Sequence, residues 1–547
     1  MKTKYLVLSA LSAIVFCACD NYLTTEYNGG SQSSTQVATT VDAIPDRINS
    51  AVSGMYAKLG TPYGYFGTSP QARADDAAYP AICLSLDLNS GDMTNPESGY
   101  DWFSVAQEFS DRTPNYANPR LRSGLLYNII YATQEVIASV PEDTQNPDLK
   151  AKRGQAKAIR AFAYLNMVPY FQFKYVGNED KPTVPLMADE KTTIDPLNNP
   201  RAPMKDMYAY ILSDLNDAIA DLQGFQRENK GVIDRQVAFG LRARAHLYME
   251  KWAEAAADAD SAVLGYEPYA MSELTEPGFY EAGDHNWIWA VLIPQSVASN
   301  AYATWPSQIG SFSGWGYTAG TGIYRSINNL LFNKIPATDV RKAWWLDENM
   351  QSPYLENLTW GDYQGQAIAA ASIPDVKEPM FPYANVKFGQ RSGIGSKYND
   401  GDWCLMRAEE MILIKAEAYA KAGDLAKGKS ILENFVKTYR DPSFVSTASS
   451  VMAFSDEVWL QRRIELWGEG FAMADKMRLN KNIVRFHPGE PTNVSEAYQF
   501  NIAANDPWLL MRFTQTELNG NSAVVQNTGG KQPVQGDGAS LKDGVTD

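Results

Sequence analysis

VAFGLRARAHLYMEKWAEAAADADSAVL, residues 237–264, reads as two helices interrupted near Glu250-Lys251. Residues 406–439, MRAEEMILIKAEAYAKAGDLAKGKSILENFVKTY, repeat the design. In the first stretch Ala245-x-x-Tyr248 is followed by Ala255, seven residues after the tyrosine; Ala416-x-x-Tyr419 and Ala426 reproduce that spacing. Small residues at these points let two antiparallel helices approach closely, which is the physical content of a tetratricopeptide-type hairpin. Ala161 to Tyr164 opens a third, weaker copy. Such hairpins bury their faces only by stacking on neighbours, so copies distant in sequence are expected to meet in space.

Outward from these hairpins, the helical period continues. Ile44, Ile48, Val52, Met55 and Leu59 recur at spacings of three and four, one face of an amphipathic helix. Further helices are predicted over Leu121–Val140, Lys150–Phe173, Arg201–Leu222 and Ser455–Glu469, with Pro203 in a first turn where its missing N–H costs nothing. Gly60–Asn118 reads as loop-rich. Over residues 267–398 Gly, Pro, Asn and aromatics displace the helical period, except near Tyr324–Phe332. The expected fold is mainly α: tetratricopeptide-like hairpins scaffolding a loop-rich, irregular ligand-binding region, in a single domain over residues 41–527. Residues 528–547 are Gly-rich and polar and are expected to be disordered.

The chain opens with Lys2 and Lys4, an apolar run from Tyr5 to Phe16, and then Cys17-Ala18-Cys19. The run is too short to cross a bilayer, which takes about 20 apolar residues, and has the make-up of a secretory signal over residues 1–18. Cleavage before Cys19 leaves a terminal thiol of the kind lipoprotein maturation acylates, and more than one acyl chain gives stable anchorage. The alternative is a plain secreted protein in which Cys19 is incidental. Residues 19–40, rich in Ser, Thr, Gly and Asn, read as a flexible tether.

The net charge of −15, with scattered Lys and Arg, argues against nucleic acid, whose phosphates require a basic stripe. It argues equally against adhesion to anionic lipid through the protein's own surface. Cys83 and Cys404 are the cysteines left in the body, either as buried free thiols or as a pair; no disulfide framework or zinc spacing exists. His246, His285 and His487 are far apart in sequence. No HExxH, GxSxG, Walker or dinucleotide fingerprint occurs, and no cofactor or metal is expected.

Tryptophans and tyrosines number 13 and 30, more than helical positions absorb. A sugar offers hydroxyls on its rim and weakly positive C–H faces, so a site for it combines flat rings with amide, carboxylate or guanidinium groups. Two loop regions supply both: Asp87 to Asn95 followed by Tyr100-Asp101-Trp102-Phe103, and Trp305 to Arg325. The candidate ligand contacts are Asn89, Asp92, Asn95, Tyr100, Trp102, Trp315, Tyr317, Tyr324 and Arg325. The competing explanation is that these rings fill the irregular part of the fold. Trp252, Trp459 and Trp467 lie in helical patterns and are assigned to the core. Asp75-Asp76 and Glu409-Glu410 are adjacent carboxylate pairs. Glycoside hydrolysis needs two carboxyls about 5–10 Å apart across one bond, and neighbours on a helix point apart, which removes Glu409-Glu410. Asp87, Asp92 and Asp101 are oxygen donors that a calcium ion could use, although not at EF-hand spacing.

Several blocks in order resemble the SusD/RagB family. They are Cys19-Asp20-Asn21-Tyr22-Leu23; Arg160-Ala161-Phe162-Ala163-Tyr164 with Pro185-Leu186; Asp214-Leu215-x-x-Ala218; Met406-Arg407-Ala408-Glu409-Glu410 with Ala416-Glu417-Ala418; and Arg463-x-Glu465-Leu466-x-x-Glu469-Gly470-Phe471 with Asp475-Lys476-Met477-Arg478. Phe513-Thr514-Gln515-Thr516-Glu517-Leu518 with Gln526-Asn527 closes the series, while Phe435 to Tyr439 departs from the family pattern. The resemblance implies a lipid-anchored, surface-exposed protein of the outer membrane that binds oligosaccharides without catalysis. It also implies a TonB-dependent, SusC-like transporter as partner. The alternatives are capture of peptides by the same kind of protein, a protein–protein adaptor, or a surface glycosidase using Asp75 or Asp76.

Overall fold

The computed structural model describes residues 34–62, 75, 77–97, 101–189, 194–294, 305–311, 318, 322–355, 359–360, 363–367, 380–393, 396 and 398–547. Helices dominate. They are α1 (Ser34–Ala43), α2 (Asn49–Gly60), α3 (Ala78–Ser90), α4 (Ala117–Ala138), α5 (Pro147–Phe171), α6 (Met204–Asp221), α7 (Arg235–Tyr248), α8 (Trp252–Ala262), α9 (Ala408–Lys421), α10 (Leu425–Tyr439), α11 (Val451–Glu465) and α12 (Ala472–Leu479), with several single turns between them. Their starts are chemically marked. Asn146 accepts from the backbone of Asp148 and Leu149 ahead of Pro147, and Asp234, Asp424 and Ser450 cap α7, α10 and α11 in the same way.

The helices stack in series: α2 on α4, α4 on α5, α5 on α6, α6 on α7, and α7 on α8. Then α8 packs on α9, and α9 on both α10 and α11. The two stretches that share the Ala–Tyr–Ala spacing therefore adjoin, as expected of faces that only a neighbour can bury. The shared residues make the contact. Tyr419 Oη donates to Asp260 on α8 at 2.7 Å. A side chain at Gly428 would meet the Ala416 carbonyl at 2.7 Å and Ala420 Cβ at 2.8 Å, so only glycine lets α10 lie this close to α9. Glu250, at a positive φ of 57°, breaks α7 from α8.

Four two-stranded antiparallel ladders tie the irregular parts together: β1 (Met93–Thr94) with β5 (Ser326–Ile327), β2 (Pro182–Pro185) with β3 (Arg201–Pro203), β4 (Trp287–Val291) with β8 (Trp403–Arg407), and β6 (Thr359–Trp360) with β7 (Tyr363–Ala367). The β4–β8 pair returns the insert to the start of α9.

The most specific sequence block turns out to be a clamp. Glu465, at the end of α11, receives Arg341 at 3.1 Å, Arg407 at 2.7 Å and Arg440 at 2.8 Å, all buried. Glu469 receives Arg407 at 2.9 Å and Lys387 at 2.8 Å. Burial alone would raise the Glu465 carboxyl, but Arg440, Arg407 and Arg341 hold it well below the usual carboxylate range. Arg341 and Lys387 belong to the insert, so the motif locks insert to helices. Gly470, at φ +89°, lies where a Cβ would strike Cys83 of α3 at 2.6 Å, which explains the glycine in the motif.

Several expectations are revised. Gly60–Asn118 contains α3, whose 13 residues are all buried; lacking a polar face, it shows no amphipathic period. The helix expected near Tyr324–Phe332 is one turn, Asn329–Phe332, preceded by β5. The region assigned to a tether is helical from Ser34 onward, and the signal segment and Cys19 lie outside the described residues. Residues 528–547 are ordered on the helical body: buried Asp543 pairs with Arg463 at 2.9 Å and accepts from the backbone of Val545 and Thr546. Cys83 and Cys404 are buried free thiols. Trp459 and Trp467 are core residues, Trp252 is half-buried, and Trp344 and Trp345 are both buried. Among the described residues, no helix is long and apolar enough to cross a membrane.

Candidate ligand-binding face

The two loop regions singled out from sequence are brought together. Met93 pairs with Ile327 and Thr94 with Ser326 in the β1–β5 ladder, and Asn328 N–H donates to the Asp92 carbonyl at 2.9 Å. Beneath that ladder, Asp101 joins both regions. Its carboxylate accepts from Phe103 N–H at 3.1 Å, from Asn95 Nδ2 at 2.7 Å and from Arg325 at 3.1 Å. The Arg325 guanidinium lies 4.9 Å from the centre of the Phe103 ring and donates to the Gln308 carbonyl at 3.0 Å. Gln107 accepts from Asn95 N–H at 2.9 Å and donates to Thr94 Oγ1 at 2.7 Å. Asn385 holds the other side, donating to the carbonyls of Ile309 and Arg325.

This geometry corrects five of the candidate contacts. Asn89, Asp92, Asn95, Tyr324 and Arg325 are all at most 2% exposed, so they form the floor under the loops and do not face an external ligand. Asn89 donates to the Ala106 carbonyl and accepts from Arg112 and Arg122. Asp92 pairs with Arg463 at 2.8 Å and Lys476 at 3.1 Å, which hold its carboxyl below its ordinary value against the pull of burial. The Tyr324 ring meets Phe381 edge-to-face with centroids 5.4 Å apart. In a loop, a polar residue carries no periodic signal that separates floor from rim, and that ambiguity caused the misassignment. Gln107 and Asn385, which hold the floor together, were missed for the same reason.

Trp102 differs: it is half-buried at the edge of the core, directly after Asp101. Tyr100, Trp315 and Tyr317 lie outside the described residues. The carboxylates weighed for other chemistry are engaged. Asp87 accepts from Gly470 and Ala472 N–H, Glu410 pairs with Arg244 at 2.6 Å, and Glu409 pairs with Arg440 at 3.0 Å. Asp75 is buried, and Asp76 lies outside the described residues. The arrangement is a buried, hydrogen-bonded polar base with the half-buried Trp102 at its edge.

The SusD family model matches residues 315–529, which span the late helical hairpin, the clamp motif and the closing segment. No curated protein matches the chain. Among solved structures, a SusD-like carbohydrate-binding protein from Bacteroides vulgatus shares 23% identity at a TM-score of 0.70, covering 87% of this chain and 96% of its own. A SusD superfamily protein from Bacteroides thetaiotaomicron shares 19% at a TM-score of 0.67, covering 88% and 99%. A laminarin-binding SusD-like protein shares 18% at a TM-score of 0.60, again covering 88% and 99%. Residues 315–529 are thus similar to the SusD family, and the fold of the chain is that of SusD-like structures.

Proposed function

We propose that this protein binds oligosaccharides at the cell surface without cleaving them and delivers them to a TonB-dependent, SusC-like transporter of the outer membrane. In this reading acylated Cys19 anchors it, and Tyr100, Trp102, Trp315 and Tyr317 supply the rings on which sugar faces stack. The observation that carries the reading is the union of the two aromatic loop regions through the β1–β5 ladder and the Asp101–Arg325 pair, with Trp102 at the rim. A ring packed against the core before binding, as Trp102 is, avoids part of the entropy of ordering a loop on each binding event, which suits shallow, wet contacts of modest affinity. Carbohydrate binding by structures of the same fold supports it. A lytic role draws no support from Glu409 and Glu410, whose charges are consumed by buried arginines.

The test is tryptophan fluorescence during titration with a panel of neutral glycans, repeated on Trp102→Ala and Trp315→Ala. Loss of one stacked ring should weaken binding about tenfold, the worth of roughly 1–1.5 kcal/mol of aromatic contact. Binding of short peptides with no response to any glycan would replace the ligand class. Glycan binding indifferent to both substitutions would move the site elsewhere.

A further inference from the structure

A cleft of about 650 Å³ opens on the insert, lined in part by Asp339, Val340 and Lys342. Its wall includes Phe332, Lys342 and Tyr354, and its rim Thr275, Thr338 and Gln351. The volume falls within the roughly 300–1,000 Å³ range of small-molecule sites. Lys342 is half-buried there. Its ammonium donates to the Ile335 carbonyl at 2.7 Å and sits 4.8 Å from the centre of the Phe332 ring. An ammonium has three donors, and among the described residues no carboxylate lies within ion-pairing distance of this one.

The other charges around the cleft are accounted for. Asp339 is neutralised by Arg341 at 2.6 Å. Asp347 accepts from the backbone of Asn349 and Gln351, each at 2.8 Å. Burial pushes the Lys342 ammonium below its ordinary pKa, with Asp339 opposing. A single cation beside Asp347 favours a singly charged group over a doubly charged phosphate. The hydroxyls and amide at the rim favour a polyhydroxylated carrier for that charge.

We propose that this cleft is a second saccharide subsite, separate from the loop face and selective for acidic sugars. The Lys342 ammonium receives a singly charged oxyanion, either a uronate carboxylate or a sulfate ester, and Thr275, Thr338 and Gln351 meet ring hydroxyls. The cleft shares no lining residue with the loop face, so either site can fail without the other.

Three trisaccharide probes test it by calorimetric titration of the full chain: trigalacturonate, a monosulfated galactotriose, and uncharged galactotriose. The expected result is at least tenfold tighter binding of one or both acidic probes than of galactotriose, consistent with a charge-assisted hydrogen bond. Trigalacturonate alone identifies the uronate, the sulfated probe alone the ester. Lys342→Met should abolish the preference and Lys342→Arg should keep it. Thr275→Phe, at an exposed rim position, should block the cleft without touching the core and serves if Lys342→Met does not fold. Equal affinity for all three probes, or a preference that survives Thr275→Phe, overturns the proposal.

Discussion

At the scale of single residues, Asp87 links the fold to pH. It sits within α3, whose residues are all buried, and burial raises its carboxyl from the ordinary aspartate value to about 8. The N–H groups of Gly470 and Ala472 oppose this, while Asp92 and Glu469 add to it. In the unfolded chain the same carboxyl titrates near 3.9. The folded state therefore holds one more proton between about pH 4 and pH 8, and the contribution of this group to stability is full below that window and lost as pH rises through it. Asp87→Asn keeps one oxygen to accept from Gly470 N–H, gives up the longer 3.4 Å contact from Ala472 N–H, and removes the titration. The variant should gain stability relative to the parent as pH is raised from 4 to 8, at up to about 1.4 kcal/mol per pH unit. Thermal melts of both proteins across that range read the effect; a stability difference independent of pH would contradict it.

At the scale of elements, the C-terminal segment shows what sequence reading could and could not see. Thr528–Asp547 has the composition of a disordered tail, yet Asp543 reaches the buried side of α11 and shares Arg463 with Asp92. Ending the chain at Asn527 leaves Arg463 and Lys476, both buried, with Asp92 as their one remaining carboxylate partner. Breaking a buried ion pair in this way costs about 3–5 kcal/mol. Urea unfolding of the truncated chain should show a loss of that order, and Asp543→Asn a large part of it; unchanged stability would mean that the tail is merely draped on the surface. The same contrast runs through the fold. The helices with one wet face, such as α10, were legible because their apolar residues recur at 3.6. α3 was not, because burial on all sides erases the period. In the loops, the chemistry of the candidate contacts was readable but their depth was not. A long-range partner such as Arg463 for Asp92, or Arg325 for Asp101, decides whether a polar loop residue is floor or rim, and local spacing contains no trace of it.

At the scale of the whole molecule, the insert and the helical stack are bound too closely to behave as two units. One hydrophobic cluster runs from Met55 of α2 through Phe162 of α5 and Trp289 of β4 to Trp345 in the insert and Trp467 beyond α11. The Glu465–Glu469 clamp draws arginines and a lysine from both parts, and the β4–β8 ladder closes the insert onto α9. Opening the insert alone would strip Arg341 from Glu465 and Lys387 from Glu469, breaking two buried ion pairs while Arg407 and Arg440 remain, at a cost of several kcal/mol. Unfolding is therefore expected to be a single cooperative event, with calorimetric and van't Hoff enthalpies equal. Two resolved transitions, or a protease-trimmed core that keeps its melting temperature after loss of residues 267–398, would show the insert to be an independent module. Cooperativity has a functional consequence. The β1–β5 ladder and the Asp101–Arg325 pair are tied to α11, the helix that ends in the clamp, because Asp92 beside β1 pairs with Arg463. The rim around Trp102 is then tied through Asp92 to α11. Binding at that rim should change amide hydrogen exchange only locally, leaving α7 to α10 untouched.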